Sequence, residues 1–151
     1  TLGTGLGSAY YTNNQLADAE LWRMPFKAGI AEDYLSTRWF INEYKFRYNK
    51  VIKGVKELTE TTVEKNEAVA LFESFAGNLA DFVVLLNTSQ KCNNVVIGGN
   101  ITKAASYFWD DTCKLLEKNN CLAKLSVAKL GEMAAIIGAA TLFEKESIIK
   151  N

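Results

Sequence analysis

Val95-Val96-Ile97-Gly98-Gly99-Asn100-Ile101 decides how the rest of this chain is read. Three β-branched apolar residues in a row fit a short strand buried in a sheet. The glycine pair ends that strand. Thr102 stands where a helix N-cap would, and Ala104 to Lys118 reads as the helix beyond it. Strand, glycine turn and helix in that order let a ligand approach bare backbone at the carboxyl end of a strand. The same glycines would also serve an ordinary turn that needs them only for their dihedrals. A second glycine stretch near the other end, Gly3-Thr4-Gly5-Leu6-Gly7-Ser8, shifts the balance towards a ligand.

Working outward from the central strand, Asn119-Asn120 ends the following helix and Cys121 to Val127 alternates weakly, as a strand does. Gly131 to Lys145 reads as a last helix. Its Ala134, Ala135, Gly138, Ala139 and Ala140 form a face of small side chains suited to tight packing. On the other side, Asn87 to Asn94 is a polar loop. Before it, Glu64 to Leu86 has the cleanest helical periodicity in the chain: Ala68, Phe72, Phe75, Leu79, Phe82 and Leu86 recur at three-and-four spacing. Val69, Ala76, Ala80 and Val83 widen that stripe, which predicts a helix lying across a sheet. Val51 to Leu58 reads as a short helix after a break near Gly54. Ala31 to Asn49 reads as one aromatic-rich helix, with rings on several faces. Residues 17–30, punctuated by Pro25 and Gly29, read as irregular. Residues 1–16 read as a hairpin: Thr1-Leu2 enters, the glycine stretch turns, Ala9 to Thr12 runs back and Asn13-Asn14 is a turn. The sum is an α/β layout, a mixed sheet with flanking helices, whose strands ending at Gly7 and Gly98 bring two glycine loops to one edge.

Composition narrows the function. At 151 residues the chain suits one domain and can bury roughly 70% of its unfolded surface. Lys plus Arg equals Asp plus Glu, so the net charge is zero. No global field draws this segment to nucleic acid or to an anionic membrane. Cys92, Cys113 and Cys121 are an odd set without C-x-x-C spacing, which suggests a reducing, cytoplasmic setting and neither a disulfide frame nor a zinc knot. Histidine is absent, which removes a His-based triad, a His general base and imidazole metal ligands. No apolar run approaches a membrane span and no signal peptide is visible. The chain opens without methionine, already inside a strand-and-loop motif, and reads as a piece of something longer.

The glycine stretch at residues 3–8 has two chemical readings. Its exposed N–H groups and the Thr4 hydroxyl can cradle an anion. Alternatively its glycines only relieve crowding in a hairpin. It lacks the G-K-[S/T] ending of a P-loop and does not open a helix as a dinucleotide fingerprint would.

Taken in order, TLGTGLGSAYYTNNQL, VVIGGNI and LGEMAAIIGAATLF resemble the C-terminal half of the ROK family (repressors, open reading frames, kinases). VKELTETTVEKNEAVALFESFAGNLADFVVLL resembles the family's long helix ahead of the glycine-pair strand, so the likeness runs over nearly the whole chain. The resemblance implies the actin-like ATPase, ribonuclease H-like fold. It implies that residues 1–151 are the C-terminal ATPase-like subdomain of a longer two-lobed protein. It also implies a function, ATP- and Mg2+-dependent phosphorylation of a hexose-type sugar, as in a glucokinase.

By that likeness Gly3, Thr4, Gly5 and Gly7 match the family's second phosphate-binding loop, and Gly98 and Gly99 its adenosine-binding turn. Glu20 matches a sugar-binding glutamate, Arg23 replaces the histidine that follows it in the family, and Glu32 matches a second sugar-binding carboxylate. The family's cysteine-rich zinc segment is missing between the two glutamates, so no zinc is implied. Its catalytic aspartate and first phosphate loop belong to the N-terminal half, which implies that this segment has no catalytic residue and is inactive alone. Two other readings stand beside the kinase: a sugar-sensing transcriptional regulator with an upstream helix-turn-helix, and a degenerate sugar-binding protein, suggested by Trp22-Arg23. Self-association as a homodimer is a further expectation.

Overall fold

The computed structural model describes residues 1–13, 15–60, 63–131, 133, 134, 136 and 137. Strands β1 (Ala9–Thr12) and β2 (Gln15–Asp18) form an antiparallel hairpin, with Ala9 opposite Asp18 and Thr12 opposite Gln15. Asn13 adopts positive φ at its turn, as an Asn can. The hairpin therefore lies one element later than the sequence suggests. Residues 1–7 form a separate loop, closed by an antiparallel bridge between Leu2 and Leu6.

Residues 17–30 are more regular than their sequence suggests. A 3-10 turn (Leu21–Arg23) leads to the small antiparallel ladder of β3 (Pro25–Phe26) and β4 (Gly29–Ile30). The single helix expected over Ala31 to Asn49 is two helices. Helix α1 (Ala31–Tyr34) stops at Leu35-Ser36, and α2 (Thr37–Tyr48) restarts and ends on left-handed Asn49, whose N–H donates to the Lys45 carbonyl. The break turns two faces inward: Leu35 and Ser36 are fully buried at the corner. Helix α3 (Val55–Thr59) follows.

Helix α4 (Lys65–Gln90) is the spine of the fold. Its length and hydropathy alone would suit a membrane span, contrary to the sequence reading, which found no such run. In the fold its apolar stripe is core: Leu71, Phe72, Phe75, Leu79, Phe82 and Val83 are buried. Phe75 packs against Phe40 of α2 at 4.7 Å between ring centroids and edge-on to Phe108 at 5.1 Å. Such ring pairs each contribute about 0.5–1.5 kcal/mol beyond area burial.

Strand β5 (Asn94–Ile97) pairs in parallel with β6 (Lys124–Val127), Asn94 opposite Lys124 and Ile97 opposite Val127. Between them run a 3-10 segment (Asn100–Tyr107) and α5 (Trp109–Lys118). Thr102 is not an N-cap: its hydroxyl donates back to the Gly99 carbonyl at 2.7 Å. The class is α/β, but among the described residues the strands lie in three two-stranded ladders where a single mixed sheet was expected. The last helix expected over Gly131 to Lys145, with Ala135, Gly138, Ala139 and Ala140 of its small face, falls largely outside the described residues.

Candidate functional site

The loop at residues 1–7 is shaped by its two leucines. Leu2 and Leu6 are both buried, and pinning them leaves Gly3-Thr4-Gly5 no room inside the core. Those three residues arch outwards. The Gly3 carbonyl accepts from Thr37 N–H at 2.7 Å, which ties the arch to the start of α2. Gly3 N–H donates to Gly5 O at 3.1 Å and Gly7 N–H to Thr1 O at 3.0 Å. Among the described residues, the N–H groups of Thr4 and Gly5 have no hydrogen-bond partner. The donors this loop can offer an anion are thus Thr4 N–H, Gly5 N–H and the Thr4 hydroxyl. Gly7, which the sequence reading made a donor, is engaged within the loop.

Glu32 holds the loop from below. Its Oε2 accepts Leu6 N–H at 3.0 Å, and its Oε1 accepts from Arg38 at 3.0 Å. A Cβ on Gly5 would stand 2.6 Å from Glu32 Oε2, so glycine is what lets the carboxylate come this close. Arg38 also lies 3.8 Å from Asp33, and this cation offsets the negative charge brought to the loop.

The second bend meets the first directly. Leu2 N–H donates to Gly98 O at 2.7 Å, and Ile101 N–H donates to Leu2 O at 3.1 Å. Gly99 has φ of +97°, and a Cβ there would lie 2.3 Å from the Leu2 carbonyl oxygen. Only glycine satisfies both demands. Gly98 sits behind, where a Cβ would meet Ala128 at 3.2 Å. An open groove of about 450 Å³ results, walled by Gly3, Thr4, Gly5, Glu32, Gly99 and Asn100.

The other sequence candidates stand elsewhere. Glu20, in the left-handed region with φ of 46°, and Arg23 are exposed and form an ion pair with each other. Neither lines the groove. Sequence reasoning assigned no role to Arg38 or Asn100. Arg38 follows Glu32 by six positions, across a helix break that the residue pattern did not reveal. Among the described residues no group of three His, Cys, Asp or Glu side chains is placed to hold a metal ion.

The geometry defines a class: an α/β protein in which two glycine bends wall one groove. A match to the ROK family covers residues 27–146, and the chain belongs to that family. Comparison with curated proteins found no match. Among solved structures, it is similar to a protein of Cytophaga hutchinsonii assigned as a sugar kinase, with 21% identity, TM-score 0.77, and 95% of this chain aligned to 56% of that one. The ROK hexokinase of Thermus thermophilus aligns with 18% identity and TM-score 0.76, over 97% of this chain and 57% of its own. A ROK family glucokinase of Streptomyces griseus, solved with glucose and AMPPNP, aligns with 19% identity and TM-score 0.71, over 93% and 58%. At these identities the likeness establishes the fold. The chain spans somewhat over half the length of each.

Proposed function

We propose that this chain is the nucleotide-holding half of an ATP-dependent sugar kinase of the glucokinase type, acting in the cytoplasm. The observation that carries the reading is the shared groove, where the loop at residues 3–5 and the bend at Gly99 face one another. Thr4 N–H, Gly5 N–H and the Thr4 hydroxyl suit phosphate oxygens. The bare backbone at Gly99 and Asn100 leaves room for a flat base or ribose. When bound, ATP would supply the phosphoryl group, and phosphoryl transfer depends mostly on positioning and charge stabilisation. Loss of one such donor typically costs about 3 kcal/mol of transition-state stabilisation.

Glu32 is the one of the three proposed sugar contacts that reaches the groove. Its two oxygens are already engaged by Leu6 and Arg38, so a sugar hydroxyl would share them. The mutual pairing of Glu20 and Arg23 away from the groove favours a second reading, a member with reduced sugar contacts.

Titrating 15N-labelled chain with AMPPNP tests the nucleotide reading. The amide signals of Thr4, Gly5 and Gly99 are expected to move together and saturate. Unmoved signals at millimolar AMPPNP would overturn it. ATP and a hexose panel incubated with this chain alone are expected to give no sugar phosphate, since the family resemblance assigns the catalytic aspartate to the other half of the protein. Measurable turnover would overturn the division of the site between two lobes.

A further inference from the structure

The charge around the glycine groove has the wrong sign for a phosphate. Among the described residues, Glu32 is the one charged side chain in its wall, and no basic side chain lines it. A carboxylate beside the free donors of Thr4 and Gly5 repels the anion that those donors suit. It stands close: a Cβ on Gly5 would lie 2.6 Å from Glu32 Oε2. The cation paired with this carboxylate is Arg38, whose Nη2 donates to Glu32 Oε1 at 3.0 Å and lies 3.8 Å from Asp33.

Local structure gives Arg38 little reason to be basic. It is the second residue of α2, whose first turn holds no acidic residue. A helix N-terminus carries partial positive charge, so a cation there is disfavoured. The Arg38 side chain is 55% exposed, and an ion pair in that setting adds little to stability. A residue set against its own helix points to a role beyond the helix. Two bonds tie Arg38 to the loop. Its neighbour Thr37 donates its N–H to Gly3 O at 2.7 Å, and the carboxylate it holds accepts Leu6 N–H at 3.0 Å. Arg38 itself does not line the groove.

We propose that Arg38 is the positioning residue that gives this groove its affinity for phosphate. It neutralises Glu32 and pins Oε1, which keeps Oε2 on Leu6 N–H and leaves Thr4 and Gly5 N–H to an anion without net repulsion from below. The inference deepens the nucleotide reading and rests on it for the ligand's identity. What Arg38 sets is how firmly the phosphates are held, as distinct from the nucleoside. Without it the carboxylate opposes a polyphosphate, while a neutral adenosine meets the same groove as before. Because the effect is one of charge, removing the Glu32 charge as well restores what is lost with Arg38. Asp33 gives its Oδ2 to Ile30 N–H at 3.1 Å and stands outside the groove wall. The Thr1 amino group is common to every variant compared and leaves the differences unchanged.

The test titrates 15N-labelled chain with AMPPNP, tripolyphosphate and adenosine, and follows the amides of Thr4, Gly5 and Gly99. Arg38→Gln is expected to weaken AMPPNP and tripolyphosphate by about tenfold or more and adenosine by less than about twofold, a gap that narrows as KCl is raised. Arg38→Lys keeps the charge and is expected to stay within about threefold of the parent. The double variant Glu32→Gln/Arg38→Gln is expected to regain most of the parent's tripolyphosphate affinity. A purely structural role would weaken all three ligands alike, and the double variant would not recover. Unchanged tripolyphosphate affinity in Arg38→Gln, or an equal loss for adenosine, would overturn the inference. So would a double variant as weak as Arg38→Gln, which would put Arg38 directly on the phosphate. Should Arg38→Gln lose the parent's amide spectrum, Glu32→Gln alone decides. Its unopposed Arg38 is expected to tighten tripolyphosphate by about threefold, and no tightening would overturn the inference. Tripolyphosphate bound at Thr4 and Gly5, with Gly99 unmoved by AMPPNP, would fail the nucleotide reading alone, and Arg38 is then judged on tripolyphosphate. Binding of neither would overturn both.

Discussion

Gly99 and Gly5 both wall the groove, yet a methyl group added to each meets a different obstacle. At Gly99 it meets the Leu2 carbonyl at 2.3 Å, on a backbone with φ of +97°. Backbone stands against backbone there, and neither can retreat without opening the Leu2–Gly98 and Ile101–Leu2 bonds. At Gly5 it meets a carboxylate oxygen at 2.6 Å, the far end of a flexible side chain. The first bend is fixed by its fold and the second is held by an adjustable brace. The anion donors, Thr4 and Gly5 N–H, sit on the adjustable one.

The sharpest way to break that contrast is Gly99→Ala. Strain at this dihedral together with the backbone clash is expected to cost about 3–5 kcal/mol. Against a typical total of about 5–15 kcal/mol, that moves the urea midpoint far. A midpoint unchanged within error would mean that the bend can shift, and the two regions would be alike.

Glu32→Ala and Gly5→Ala probe the brace together. Alone, Glu32→Ala leaves Leu6 N–H and the Arg38 guanidinium without their acceptor, at about 2–3 kcal/mol. Gly5→Ala alone forces the carboxylate aside, at about 1 kcal/mol. In the double variant the added methyl group has nothing to displace. The costs are then expected to fall short of their sum by about 1 kcal/mol, read from a double-mutant cycle of urea unfolding. Strict additivity would remove Glu32 as the brace.

The same contrast explains what could be read from residues alone. The strand at Val95 to Ile97 and the long helix were legible because periodicity and β-branching act locally. That two glycine bends meet at one edge followed from the α/β order of elements, and the family resemblance gave them their ligands; no local pattern states which loops meet. The hairpin was misplaced because the pairing of Leu2 with Gly98 and Ile101 links positions nearly a hundred residues apart. The break at Leu35-Ser36 carries neither Gly nor Pro, and burial of both residues, a tertiary effect, accompanies it. Glu20 looked like Glu32 in sequence; what separates them is that one carboxylate lies under a loop and the other pairs with Arg23 in solvent.

A smaller effect sharpens the distinction between fixed and braced regions through pH. Glu67 at the start of α4 is a second carboxylate brace: it accepts from the buried Tyr44 hydroxyl at 2.7 Å and from Lys50 at 2.8 Å. The Lys50 and Tyr44 hydrogen bonds hold its carboxyl below the usual range. Burial, and then the Glu67 hydrogen bond and charge, push Tyr44 from its ordinary 10.0 up to about 12. Because the folded value is raised, the Tyr44 contribution is complete below pH 10 and is lost as pH rises through about 12. Tyr44→Phe is therefore expected to cost about 1 kcal/mol at neutral pH. It should match the parent once the tyrosine ionises, so the two unfolding curves converge at the alkaline end. Glu67 has the opposite sign: its folded value is lowered, so its contribution is present above the unfolded carboxyl range and fades as pH falls through the folded value. Gly99 has no titrating partner, and the penalty of Gly99→Ala is expected to stay flat across the same range. A penalty that followed pH would tie the backbone bend to a charge, and the line between the two kinds of support would dissolve.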